Sequence, residues 1–376
     1  MDNLYLKRLR LANFKSYREV DLEFSPRLNC FVGNNGAGKT NLLDAMYYLS
    51  FCKSYFTGQD FDHVFHGEEF FTIQGAYELG GRDESLLCIS RRDQKKVFKR
   101  NDKVYPRLAD HIGLIPLVMV SPSDSGLITD GSEERRKYIN SVISQYNREY
   151  LDDVIQYNKA LQQRNKLLKD FSRGSKVDLS SLEVWDQMLA GPGQRIFEAR
   201  KDFIERLHPI FQHYYSFISE ETEVVGLVYR SQLENGPMDQ LLKNSVKRDL
   251  ALQFSTVGIH RDELVMELKG YPLRQQGSQG QHKSFLVALK LAQFDFLQEI
   301  SGMPPLILLD DIFDKFDDRR VLRLIELVSG HKFGQIFITD KNPHNLEAIL
   351  REIPVKSNVF RIEDGYARLQ NGSLAS

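Results

Sequence analysis

The sequence has little cysteine. Cys30, Cys52 and Cys88 are odd in number, show no CxxC spacing and are scattered through apolar stretches. They exclude a disulfide framework and read as small core packers in a reducing compartment. Long hydrophobic runs are also lacking: the longest, around Leu114 to Val120 and Leu306 to Leu309, are far too short to span a bilayer. The opening MDNLYLKRLR carries charges where a secretory signal needs an apolar centre. The expectation is a soluble, cytoplasmic chain with no membrane partner. Nor is there an excess of one charge, because 50 Lys plus Arg stand against 51 Asp plus Glu. Bulk electrostatics therefore gives no argument for nucleic acid, and any polyanion site has to come from local clustering. Internal repeats and low-complexity tracts are absent as well.

At 376 residues the chain exceeds one ordinary domain, and two domains are expected. From Leu4 to Val32 the residues alternate and then run apolar, predicting two or three strands with a turn near Ser25 and Pro26. A helix from about Lys39 to Leu49 follows. Further strands are expected at 70–78, 85–91, 97–104 and 114–120, with turn signals at Gly80-Gly81 and Asn101-Asp102. Character changes after Gly131. Glu133 and Glu134 open a helical pattern in which Tyr150, Val154, Tyr157, Leu161 and Leu168 form a narrow, coiled-coil-like seam. A continuous helix from Glu133 to Asp170 would extend roughly 55 Å. After a break at 172–181, a second helical pattern recovers beyond Gly191-Pro192-Gly193 with Ile196, Ala199, Phe203, Leu207 and Ile210. The pair predicts an antiparallel helical arm, with a separate globular helical domain as the alternative. Strand-like patterns return at 224–229 and from about Ser255 onward, with short apolar strands at 306–311 and 334–340.

Gly33, Asn34, Asn35, Gly36, Ala37, Gly38, Lys39 and Thr40 fit G-x-x-x-x-G-K-[ST] between a strand and a helix, the context of a phosphate-binding P-loop. The glycines let several backbone N–H groups and the helix N-terminus face a phosphate. Lys39 would neutralise the β and γ phosphates of ATP, and the Thr40 hydroxyl would join a Mg2+ shell. Leu306 to Leu309 followed by Asp310 and Asp311 fits a Walker B strand. Asp310 is the magnesium candidate, and Asp311 the catalytic carboxylate that orients or deprotonates water, although it reaches one methylene less than the usual Glu. Most of the chain separates the two motifs, so the arm must be an insertion. The expectation is an α/β P-loop head built jointly by residues 1–130 and 223–376 around an inserted helical arm at 131–222.

Ser278, Gln279, Gly280 and Gln281 precede a helical pattern through Leu286, Leu289, Leu291 and Phe294, and resemble the signature motif of ATP-binding-cassette proteins. Such a serine near a helix N-terminus is a ready anion site. In that family the phosphate belongs to the opposite subunit, so two heads sandwich two nucleotides across a two-fold axis. The opening LRLANFKS, the P-loop with its trailing Asn41 to Ala45, Ser121-Pro122 through Arg135-Arg136, Gly258 to Asp262, the SQGQ signature and Leu309-Asp310-Asp311 together resemble the RecF family over nearly the whole chain. The resemblance implies an ATP-dependent homodimer, slow ATP hydrolysis, DNA binding, and action with RecO and RecR in loading RecA at gaps. Three features depart from the pattern. Lys15 stands where the family usually has Arg, Phe316 replaces a customary Leu in the D-loop at 314–317, and the strand at 335–338 ends in Thr339-Asp340 without a switch histidine. The switch and Q-loop roles stay unassigned.

For DNA, the strongest local feature is the run of Arg91, Arg92, Lys95, Lys96, Lys99, Arg100, Lys103 and Arg107, opposed by only Asp93 and Asp102. Around a hairpin turning at Asn101-Asp102, these charges would share one face and contact phosphates, or simply solvate the hairpin. Arg135, Arg136 and Lys137 are weaker candidates because Glu133 and Glu134 adjoin them. The rivals are the cassette ATPase of a DNA-processing nuclease complex, which would carry an acidic nuclease domain, and a transporter ATPase, which would lack this arm.

Overall fold

The computed structural model describes residues 4–56, 58–172, 178–219, 223–312, 330, 332–341 and 357–370. The chain forms two compact units, one from residues 1–124, 217–220 and 283–376, the other from 125–216 and 221–282. The first unit begins with strands β1 (Leu4–Phe14), β2 (Tyr17–Glu23) and β3 (Leu28–Val32) and helix α1 (Lys39–Phe51). It continues with β4 (Phe70–Leu79), β5 (Arg82–Arg91), β6 (Val97–Arg100), β7 (Lys103–Val104) and β8 (Leu117–Val120). The second unit holds α2 (Gly126–Thr129), α3 (Ser132–Ile143), α4 (Arg148–Ser172), α5 (Leu179–Ser219), β9 (Val225–Arg230), α6 (Met238–Leu252), β10 (Glu263–Leu268), β11 (Tyr271–Pro272) and α7 (Leu273–Gln276). Helix α8 (Gln279–Ser301) leads back to the first unit, which closes with β12 (Leu306–Leu309), β13 (Ile336–Asp340), β14 (Ser357–Glu363) and β15 (Tyr366–Leu369).

Two sheets sandwich the core of the first unit. The antiparallel sheet runs β2-β1-β4-β5-β6-β7, and β4 and β5 alternate buried with half-buried residues, as strands with one face on the core should. Asn101 and Asp102 turn the β6–β7 hairpin with positive φ at both positions, the mirror-image turn that such dipeptides favour. The other sheet runs β15-β14-β3-β13-β12-β8, with β3, β13, β12 and β8 parallel and buried along their whole length. Between the sheets, α1 is buried over all but two of its residues, which explains its weak amphipathic pattern. Phe24 locks the layers by packing edge-on to Phe31, Phe337 and Phe360, with centroids 5.0–6.1 Å away. All three cysteines are buried in this unit, and none is disulfide-bonded. Among the described residues, no helix is long and apolar enough to cross a membrane.

In the second unit, α4 and α5 run antiparallel: Asp153 pairs with Arg195, Tyr157 lies over Gly193, and Arg164 pairs with Asp186. Buried positions on α5 recur at Leu182, Asp186, Leu189, Gly193, Ile196, Arg200, Phe203 and Leu207, spacings of four and three. Gly191-Pro192-Gly193 lies inside this helix rather than before it. Gly193 is there for space, because an added Cβ would stand 3.2 Å from the Tyr157 ring and 3.3 Å from Met238. The expected unbroken helix from Glu133 to Asp170 is in fact two. Asn147 ends the continuity by accepting the Tyr150 N–H at 2.9 Å, an N-cap for α4. On the buried stripe of α4, Tyr150, Asp153, Tyr157, Ala160, Arg164 and Leu168 are covered, whereas Val154 and Leu161 of the expected seam lie at its margin. The unit also differs from the expected arm in extent. Residues 223–282 join it, because β9 pairs with β10 and α6 packs on α4.

Buried charge holds this unit in register. Arg164 is fully buried and donates to Asp186 and Asp249 at 2.6 Å and to Ser255 at 2.8 Å. Arg200, equally buried, reaches Asp262, Tyr150, Asn140 and the Ile259 carbonyl. Removing one member of such a network leaves an uncompensated charge in a low dielectric. Arg164→Ala is therefore expected to lower the unfolding free energy by about 3–5 kcal/mol, read from urea denaturation; a decrease below about 1 kcal/mol would show that these ion pairs do not hold the helices.

Candidate nucleotide site

The P-loop leaves the buried strand β3 and enters α1, as the sequence pattern requires. Gly38 caps the helix at φ +113°, and a Cβ there would stand 2.8 Å from both Ser16 Oγ and the Tyr17 hydroxyl, so space and backbone angle both demand glycine. The Tyr17 hydroxyl donates to the Gly38 carbonyl at 3.1 Å, and Asn41 donates to Ser16 at 2.8 Å, tying the loop to the β1–β2 turn. Lys39 is buried, and its Nζ donates to the Gly33 and Asn34 carbonyls at 2.9 and 3.1 Å, which lays the ammonium across the loop mouth.

Thr40 Oγ1 donates to Asp310 Oδ1 at 2.9 Å, joining the two motifs across 270 positions of sequence. The strand between β3 and β12 in the sheet is β13, and its Thr339 donates to the same Asp310 Oδ1 at 2.8 Å. Burial pushes the Asp310 carboxyl up from the usual carboxylate range; Thr339 and Thr40 pull it down, the neighbouring Asp311 raises it and Lys39 lowers it. Asp311 is half-buried at φ +43°, and its backbone N–H donates to Thr339 Oγ1 at 2.9 Å. A hydroxyl beside a carboxylate at a helix N-terminus is a hard-oxygen set that suits Mg2+, which takes one or two protein ligands and completes its shell with phosphate and water. No cluster of three or more His, Cys, Asp or Glu able to hold a metal occurs among the described residues.

Beside the loop, Asp44 is fully buried, paired with Lys15 at 2.6 Å and hydrogen-bonded by Ser54 and the Tyr55 N–H. Lys15 therefore serves a salt bridge, with its ammonium 5.5 Å from the Phe56 ring centre. The D-loop at 314–317 lies outside the described residues.

Ser278 and Gln281 form a reciprocal cap on α8: Ser278 Oγ accepts the Gln281 N–H at 3.2 Å, and Gln281 Oε1 accepts the Ser278 N–H at 2.8 Å. Ser278 and Gln279 are exposed at the tip, whereas Gly280 and Gln281 are half-buried. Gln281 Nε2 donates to Glu223 at 3.1 Å, and that buried carboxylate also accepts from Tyr215 and pairs with Lys269. Glu223 is invisible to sequence reasoning, since nothing distinguishes it from the neighbouring Glu220 and Glu221, and Thr339 registers there only as the end of a strand.

The basic run divides. Lys96 lies half-buried, donating to the Tyr48 hydroxyl, the Cys52 carbonyl and Asp60, so it braces the core instead of facing solvent. Arg100 forms a two-pronged pair with Glu84 at 2.7 and 2.8 Å. Arg92 stacks on the exposed Phe61, with Arg91, Lys95, Lys103 and Arg107 exposed and Lys99 half-buried. At 131–137, Arg135 pairs with Glu263, Arg136 donates to Ser132 and the Asp262 carbonyl, and Lys137 pairs with Glu133 and Glu134.

Comparison with known proteins places this geometry. The RecF/RecN/SMC N-terminal domain family matches residues 5–359. A DNA replication and repair protein RecF from Phocaeicola vulgatus is 50% identical over 364 residues, covering 96% of this chain and 97% of that protein. A solved recombination mediator protein, RecF-ATPrS of the RecFOR pathway, superposes with a TM-score of 0.88 at 29% identity and 98% coverage of both chains. An Smc head domain from Pyrococcus furiosus shares the fold at a TM-score of 0.58 and 18% identity, over 98% of this chain and 96% of that one. With its P-loop, its Walker B acids and its inserted helices in one α/β cassette, the chain belongs to the RecF family of DNA replication and repair proteins.

Proposed function

We propose that the chain is an ATP-controlled DNA-binding switch that hydrolyses ATP slowly and dimerises around it. The observation that carries this reading is the Thr40–Asp310 contact, which puts a hydroxyl and a carboxylate where a nucleotide-bound Mg2+ would be held. Lys39 exchanges its two loop carbonyls for the β and γ phosphates, and the backbone N–H groups of the P-loop orient the polyphosphate. Bound there, the metal would neutralise charge on the transferring phosphate. Asp311 accepts a proton from, or aims, the attacking water. The exposed Ser278 on its capped helix meets the phosphate held by a second copy, so that nucleotide occupancy closes the homodimer.

By family, the partners are DNA near single-strand gaps together with RecO and RecR, the outcome is RecA loading and support of the SOS response, and the location is the cytoplasm. Slow hydrolysis suits a switch, because the lifetime of the closed dimer then sets how long DNA is held. The exposed Arg91, Arg92, Lys95, Lys103 and Arg107 are the residues that would meet DNA phosphates, with Lys99 beside them.

Lys39→Ala should weaken ATP binding by about 2–5 kcal/mol, the cost of removing one partner of a desolvated charge pair. Titration with labelled nucleotide reads it, and unchanged affinity would remove Lys39 from the site. Replacing Arg91, Arg92, Lys95 and Lys103 together by Gln should weaken DNA binding regardless of sequence, and should flatten log K against log salt by roughly 0.9 for each phosphate that is no longer neutralised. Lys96→Gln should instead act on stability, since its charge is spent on Asp60. Binding titrations on gapped duplex at several salt concentrations decide, and a normal slope in the fourfold variant would return these residues to a solvated surface.

A further inference from the structure

Near the end of β13, Thr339 occupies a place in the sheet that faces both halves of the Walker B pair. It is fully buried, and β13 lies between the P-loop strand β3 and the Walker B strand β12. Its hydroxyl makes two bonds whose polarity is forced. The Asp311 backbone N–H has only a proton to give, so Thr339 Oγ1 accepts there at 2.9 Å; its own single proton is then left for Asp310 Oδ1 at 2.8 Å. One hydroxyl thus fixes the orientation of the Asp310 carboxylate and the backbone of Asp311 together.

The bond from the Asp311 N–H matters because of the conformation of Asp311. Its φ of +43° lies in the left-handed region, which residues other than glycine adopt sparingly and, for Asp, as single residues with local hydrogen bonds. That angle decides the direction in which its carboxylate leaves the chain. Asp310, for its part, is bracketed by two hydroxyls, Thr40 from α1 and Thr339 from β13. If Thr40 turns to a nucleotide-bound cation, Thr339 keeps the carboxylate aimed.

We propose that Thr339 is a positioning residue for nucleotide hydrolysis, setting the orientation of Asp310 and Asp311 through one buried hydroxyl. This rests on the roles proposed above for Asp310 and Asp311. A valine at 339 would keep the shape of the side chain and β-strand propensity while leaving a buried N–H and a carboxylate oxygen short of a partner. Serine would keep the hydroxyl.

The test compares Thr339→Val, Thr339→Ser and Asp310→Asn in the full chain. Thr339→Val should lower kcat roughly 10–100-fold, the range for removing a side chain that orients a metal-binding carboxylate. The KM for ATP should stay within about twofold, because the P-loop contacts with phosphate are untouched. A readout apart from turnover is thermal stabilisation by a slowly hydrolysed ATP analogue titrated with Mg2+: the half-saturating Mg2+ concentration should rise in Thr339→Val. Stabilisation by nucleotide in EDTA should be unchanged, and Thr339→Ser should recover both kcat and the Mg2+ midpoint. Should the valine protein fail to fold, Thr339→Cys, a far weaker donor of similar size, carries the same comparison. Wild-type kcat and Mg2+ midpoint in Thr339→Val, with Asp310→Asn inactive, would overturn the role of Thr339 and leave the site standing. Wild-type turnover in Asp310→Asn would overturn both.

Discussion

The contact between Thr40 and Asp310 is the constraint on which the rest of the structure depends. It joins the first turn of α1 to the end of β12, residues that 270 positions of sequence keep apart. To bring them within hydrogen-bond reach, β3 has to share a parallel sheet with β13 and β12. Of the described strands between β3 and β12 in sequence, β8 alone joins this sheet. The helices of the second unit lie within this stretch of sequence, and there α4 and α5 run antiparallel.

The inserted unit meets its own constraint with charge as well as apolar surface. Its buried stripe carries Asp153 and Arg164 on α4, and Asp186 and Arg200 on α5, at positions where a simple coiled coil would place leucine. Paired and hydrogen-bonded, these groups add little net stability over apolar residues, but they fix one register, since any slip along the helices strands a guanidinium in the core. The same ion pairs set α4 against α6 through Asp249 and set α5 against the strands through Asp262.

Much of this was legible in the sequence wherever the physics is local. The P-loop, the Walker B acids and the Ser278 cap combine short spacings with obligatory residue types, and the structure places Thr40 on Asp310 and Ser278 at a helix start. Alternation marked the strands of the antiparallel sheet. What escaped was non-local. Asn147 reads as one polar residue in a helical pattern until its cap is seen, and Gly193 reads as a breaker until Tyr157 is found above it. Lys96 and Arg100 belong to a basic run by composition and to Asp60 and Glu84 by structure. Thr339 shows why partners matter more than residue type, because a threonine near the end of a strand has no distinguishing pattern, and only the fold sets it between two aspartates.

In the proposed dimer, nucleotide held by the P-loop of one copy is closed over by Ser278 of another. The most direct measurement is particle mass by light scattering with ATP and Mg2+ for the wild-type chain, Asp311→Asn and Ser278→Arg. Dimers should persist in Asp311→Asn, whose amide keeps the size of the side chain but cannot take a proton, whereas Ser278→Arg should stay monomeric because its side chain obstructs the facing phosphate. The same mass for both variants in the presence of ATP would contradict the proposed dimer.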